Sequence, residues 1–203
     1  MTLSTKETLQ IQKTNNFEII KNIIKKKGIN CFHLNLIHFY CRNPHLSVEN
    51  LKYLKEKNVN FKQPDPFIFL VQQKIISIEL IQFFLELGKH LNDKDTSQDL
   101  PTPFHFLCQN YSITPEILSF CLKNEADINL QFCTPFMYLC QNIFLNEDIL
   151  KFCIQNKAGI HFKTQNAFHF ICQNRGITYE MIKYAFENEF PIEEDNQVRF
   201  LFE

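Results

Sequence analysis

A histidine followed three residues later by a cysteine occurs three times in this chain: His38/Cys41, His105/Cys108 and His169/Cys172. On a helix, residues three apart share a face, so each pair offers a metal one nitrogen and one sulfur. A zinc ion needs about four such ligands, and packed helices stand about 8–10 Å apart, so pairs from neighbouring segments converge poorly. The equivalent position in a fourth copy is Met137. No metal or other cofactor is expected. Cys108, Cys140, Cys172, Cys121 and Cys153 recur in register, as small apolar core residues do. Cys31 and Cys133 stand outside the register, and neither has an identifiable base. No catalytic residue is assigned, and the chain is not expected to be an enzyme; a metal-dependent enzyme is the alternative of a different class.

The register comes from an internal repeat. Thr102-Pro103-Phe104-His105-Phe106-Leu107-Cys108-Gln109-Asn110 returns as Thr134-Pro135-Phe136-Met137-Tyr138-Leu139-Cys140-Gln141-Asn142. It returns again as Asn166-Ala167-Phe168-His169-Phe170-Ile171-Cys172-Gln173-Asn174, with a period of 32 residues both times. Weaker copies are Pro66-Phe67-Ile68-Phe69-Leu70-Val71-Gln72-Gln73 and Ile37-His38-Phe39-Tyr40-Cys41-Arg42-Asn43. Such a period is the mark of stacked supersecondary units.

A second ladder places helix starts. A cap residue, any residue, then an acid occurs at Asn16, Ser47, Ser77, Thr114, Asn146 and Thr178. Ser, Thr and Asn side chains accept from the open N–H groups of a first turn, and the acid meets the positive end of the helix dipole. The stripe Ile117, Leu118, Cys121, Leu122 repeats as Ile149, Leu150, Cys153, Ile154 and as Met181, Ile182, Ala185, Phe186. No strand-like alternation appears. The expected architecture is all-α: a short helix, a turn, a longer helix and a loop, repeated over 31–62, 63–98, 99–131, 132–163 and 164–195. Residues 1–30 are expected to add a capping half-unit with one helix, and 196–203 a partial repeat or C-terminal cap, within a single domain spanning 1–203.

Thr102-Pro103-Phe104-His105 resembles the Thr-Pro-Leu-His opening of the ankyrin repeat, and Glu125-Ala126-Asp127-Ile128-Asn129 resembles that family's Gly-Ala-Asp-Val-Asn ending. The likeness is closest over 99–195. The turn Asn110-Tyr111-Ser112-Ile113 runs two residues longer than the family's, and the loop from Asn129 to Thr134 three shorter. Leu107-Cys108 stands where the family has paired alanines, and Asp93 to Leu100 is read as an insertion between units. The resemblance implies an α-solenoid, a histidine bonded to the loop of an adjacent unit, and a concave face that meets a partner.

Composition excludes several classes. Lys and Arg (21) nearly cancel Asp and Glu (22). Residues 1–62 hold eleven Lys and Arg against four Asp and Glu, a net of +7 that includes Lys25-Lys26-Lys27. Polyanion binding through that end is weighed and set second to solvated helix ends; nucleic acid is not the expected partner. Gly28, Gly88, Gly159 and Gly176 are the only glycines, and none lie close enough together for a phosphate-cradling loop. The longest apolar run, Phe67 to Val71, is far below a membrane span, and Met1 to Lys13 has no apolar signal core. A cytoplasmic or nuclear, monomeric protein with reduced thiols is expected.

The candidate contact row is polar: Gln109-Asn110, Gln141-Asn142 and Gln173-Asn174, continued by Gln72-Gln73 and Arg42, with Gln131, Phe132, Lys163 and Gln165 at loop tips. The Asn of each pair is also suited to end the first helix in a left-handed conformation. The aromatic stripe Phe39, Phe69, Phe106, Tyr138 and Phe170 is assigned to the core. The expected function is a protein-protein interaction module that binds another protein or peptide, with a targeting arm of a larger adaptor, such as one for ubiquitin ligation, as the alternative.

Overall fold

A computed structural model of the chain describes residues 3–28, 36–61, 65–93, 101–130, 133–158 and 167–188. All regular structure in these residues is helical. The contacts group into two units, Met1–Ser112 and Ile113–Glu203, and the division falls in a turn inside the third repeat.

In the first unit the helices are α1 (Thr5–Lys13), α2 (Phe17–Lys27), α3 (Leu36–Cys41), α4 (Val48–Glu56), α5 (Pro66–Val71), α6 (Ile78–Glu86) and α7 (Pro103–Cys108). The second contains α8 (Pro115–Lys123), α9 (Pro135–Cys140), α10 (Glu147–Gln155), α11 (Ala167–Gln173) and α12 (Tyr179–Glu187). Short and long helices segregate. In the first unit α1, α3, α5 and α7 pack in chain order, with α4 on α6 behind them; in the second α9 packs on α11 and α8, α10 and α12 pack in turn.

All six expected caps open a long helix. Ser47, Ser77, Thr114, Asn146 and Thr178 each accept from the N–H three residues on, and Asn16 from that of Glu18. The cap hydroxyl and their own backbone N–H groups hold the Glu79 and Glu116 carboxyls below the usual range. One expectation fails at the start. Residues 1–30 carry two helices, because Ser4 and Glu7 form a reciprocal capping box that nucleates α1. The helix expected over 196–203 lies outside the described residues.

The long helices close alike. Asn58, Gly88, Glu125 and Lys157 take left-handed φ values of 59°, 77°, 65° and 60°. The N–H after each reaches back to the last turn: Val59 to Leu54, Lys89 to Phe84, Ala126 to Cys121 and Ala158 to Cys153. Val59, Ala126 and Ala158 are thereby turned into the core. A left-handed residue costs about 1 kcal/mol or more unless it is glycine. The core is aromatic in the first unit, where Phe67 and Phe84 stack at 5.3 Å and 7° with both rings fully buried.

Within each unit, successive short helices are joined by one side chain. Asn43 Nδ2 donates to the Ile11 and Thr14 carbonyls at 2.7 and 2.9 Å. Gln73 Nε2 donates to the Cys41 and Asn43 carbonyls, and Asn110 Nδ2 to those of Val71 and Gln73. Asn174 Nδ2 donates to the Cys140 and Asn142 carbonyls, both at 2.8 Å. Meanwhile the Asn Oδ1 accepts from the N–H two residues on: His45, Ser112, Phe144 and Gly176. Each amide therefore shapes its own turn, and those of Asn43, Asn110 and Asn174 also bond two carbonyls of the preceding repeat. None of these asparagines is left-handed; that conformation belongs to the long-helix ends instead.

Two outcomes follow. Asn174→Ala strands two buried carbonyls and one turn N–H, and is expected to cost about 2–3 kcal/mol in urea unfolding; Asn174→Asp, which keeps the acceptor and loses the donors, should show how much belongs to each. Lys157→Gly should stabilise by about 0.5–1 kcal/mol, with Gly88→Ala moving the other way.

Candidate functional site

The short helices decide which side chains reach solvent. Residues i and i+2 lie about 200° apart around a helix, so Phe104 and Phe106 cannot face the same way. Phe67, Phe104, Phe136 and Phe168 are buried, whereas Phe39, Phe69, Phe106, Tyr138 and Phe170 are only half-buried. Their assignment to the core is corrected accordingly. Three residues beyond each stands an exposed polar side chain: Arg42, Gln72, Gln109, Gln141 and Gln173. In the first unit the pairs are Phe39/Arg42, Phe69/Gln72 and Phe106/Gln109; in the second, Tyr138/Gln141 and Phe170/Gln173. The Arg42 guanidinium lies 4.3 Å from the centre of the Phe69 ring, and the His38 ring packs against the same ring with centroids 4.7 Å apart.

Gln173 and His169 approach at 2.7 Å between side-chain nitrogens. A shallow groove of about 240 Å³ runs beside them, lined by Gln141, Ile143, Phe170, Gln173, Asn174 and Arg175. Ile143 is 61% exposed at its edge. Gly176 sits close behind, where an added Cβ would stand 3.1 Å from the Ile143 carbonyl oxygen.

The rest of the expected row divides. Asn110, Asn142 and Asn174 are buried, as is Gln73, and the amides of Gln73, Asn110 and Asn174 are engaged with the preceding repeat. They therefore support these turns from beneath, and the exposed members of the row are Arg42, Gln72 and Gln109 in the first unit and Gln141 and Gln173 in the second. Gln131, Phe132, Lys163 and Gln165 lie outside the described residues. The aromatic member of each pair had a signal in the sequence, namely its two-residue offset from an apolar residue, Ile37, Phe67, Phe104, Phe136 or Phe168.

No protein-family model matches the chain, and no curated protein matches it.

Most of the thiols are held protonated by burial. Cys41, Cys108, Cys121, Cys140 and Cys153 are buried, and Cys133 is exposed. Burial pushes the Cys121 thiol up to about 12, and those of Cys41, Cys140 and Cys153 upward as well. His105 is fully buried, with Nδ1 accepting from the Thr102 N–H at 3.1 Å and lying 2.8 Å from its hydroxyl oxygen. Its role there is to close the first turn of α7. No group of three or more His, Cys, Asp or Glu suited to a metal occurs among the described residues.

The raised thiols fix a pH dependence. A buried thiol stays protonated while its unfolded counterpart ionises above the ordinary value of 9.0, so the unfolded chain gains stability as pH rises. Urea unfolding should be hardest below pH 9 and ease by up to about 1.4 kcal/mol per pH unit per thiol above it. In Cys121→Ala the slope between pH 9 and about 12 should be shallower.

Proposed function

We propose that the chain is an ankyrin-like array of helical hairpins that binds another protein through the exposed face of its short helices. The observation that carries this reading is the recurrence of one aromatic–polar pair at the same helical position in five successive repeats. An enzyme needs one place unlike the rest, where a nucleophile or base is activated. An extended contact surface needs the same modest group many times over, and here that group is a half-buried ring with an exposed polar side chain three residues on.

The chemistry of the pair suits a polypeptide partner. The ring supplies contact area at little entropic cost, and the primary amide both donates and accepts, which matches peptide groups. Gln72, Gln109 and Gln141 make no hydrogen bond through their amides to any described residue. Their capacity is open to a partner. The rigid support beneath them, from the bonds of Gln73, Asn110 and Asn174, keeps their backbone positions fixed and lowers the cost of ordering on binding. The likeness to the ankyrin repeat supports the same reading: a Thr-Pro cap, a short helix, a turn and a longer capped helix, with short helices packed in chain order within each unit.

Immobilised chain should capture a defined set of proteins from cells of its source. With Gln109, Gln141 and Gln173 changed together to Glu, and helicity unchanged by circular dichroism, that set should be lost or strongly reduced. Capture that persists undiminished sinks the assignment of the face.

A further inference from the structure

In the five repeats that carry the pairs, the short helix and its following turn occupy residues 36–46, 66–76, 103–113, 135–145 and 167–177. Across these stretches there is no Asp or Glu at all, although the chain has 22. Among the described residues the acids lie on α1 and the long helices, in the turns that follow those helices, and at Asp65, which caps α5. Buried positions explain part of this, but the exposed ones are also free of carboxylate: Arg42, Pro44, His45, Gln72, Lys74, Ile75, Gln109 and Tyr111 in the first unit.

The turns that carry those side chains are tied together. Gln73 Nε2 bonds the Asn43 carbonyl at 3.0 Å, linking the α3–α4 turn to the α5–α6 turn. The Ile76 N–H donates to Ser112 Oγ at 2.9 Å, and Ser112 Oγ in turn donates to Asn110 Oδ1 at 2.7 Å, linking the α5–α6 turn to the next. Arg42, His45 and Lys74 therefore share one edge with Ile75, 74% exposed, and Tyr111, 56% exposed. Arg42 and Lys74 make no ion pair with any described residue. The first unit as a whole holds fourteen Lys and Arg against ten Asp and Glu, a net of +4.

We infer that this edge of the first unit receives an acidic polypeptide segment with apolar side chains spaced among its carboxylates. The inference rests on the binding-module reading and names the partner's chemistry. The carboxylates meet Arg42 and Lys74 where no resident acid competes, and the apolar side chains cover Ile75 and Tyr111. Charge complementarity of this kind speeds encounter and fixes orientation, and the exposed apolar pair supplies area. A nucleic acid fits less well. The cations are few, Ile75 has no base-stacking face, and the Arg42 guanidinium already lies over the Phe69 ring.

The test is fluorescence anisotropy on the full chain. The probes are a dye-labelled peptide of alternating Glu and Leu, the same peptide with Gln for Glu, and oligouridylate. The Glu–Leu peptide should bind, weaken with added salt, and bind about tenfold better than its Gln counterpart. Lys74→Glu and Ile75→Ser, both exposed turn positions, should each weaken it by about tenfold, while Lys123→Glu on α8 leaves it unchanged. The inference is overturned if both peptides bind alike, if neither binds, if oligouridylate binds more tightly than the acidic peptide, or if Lys74→Glu has no effect. Should the acidic peptide fail while capture from cells still depends on Gln109, Gln141 and Gln173, this inference falls and the binding-module reading stands.

Discussion

Short helices have a carbonyl problem, and its solution organises this protein. The last four carbonyls of any helix lack internal partners. In helices of six residues, such as α5 and α7, that is most of the element. The side-chain amide of the next repeat answers it, bonding the carbonyl that ends one helix and another from the turn that follows. Because the same amide oxygen fixes its own turn at Asn43, Asn110 and Asn174, each turn is shaped by the residue that holds it to its neighbour. A substitution there disturbs two repeats together.

The amide cannot serve a partner while it serves the stack. This is why the Gln-Asn dipeptides split, the Asn inward and the preceding Gln outward, one step of about 100° apart on a helical turn. The same rotation separates Phe104 from Phe106. A face of half-buried rings and exposed amides or guanidinium is therefore a by-product of packing: once one ring and the Asn are committed to the interior, the alternate ring and the Gln have nowhere else to go. The proposed binding at this face needs no further device than leaving those positions chemically open.

The reactive-looking residues read differently once their surroundings are known. A thiol ionises readily only near positive charge or water. Cys41, Cys121, Cys140 and Cys153 have neither, and burial favours the protonated form. His38 and His105 are buried beside Cys41 and Cys108 on short helices whose task is packing. His–Cys spacing that suits a metal equally suits the inner face of a repeat, because both follow from a three-residue step on a helix.

The six long-helix starts, the short-helix repeats and the all-helical class were legible in the residues, since each rests on interactions within a few residues: a cap hydroxyl and a first turn, an apolar stripe at helical spacing. The helix at Thr5–Lys13 was equally legible in Ser4 and Glu7, although a half-unit with one helix was expected. What the sequence could not settle was which partner each polar group would take. Asn110 has the same local qualifications for a left-handed helix end, a surface contact or a bond to the preceding repeat, and only the presence of Val71 and Gln73 carbonyls within reach decides among them. The left-handed closures at Asn58, Glu125 and Lys157 were hidden for the same reason, because non-glycine residues accept that strain only where the next residue gains a place in the core. Local chemistry proposes several outcomes for such residues, and long-range packing selects one, because the competing hydrogen bonds are nearly equal in energy until burial makes an unpaired group costly.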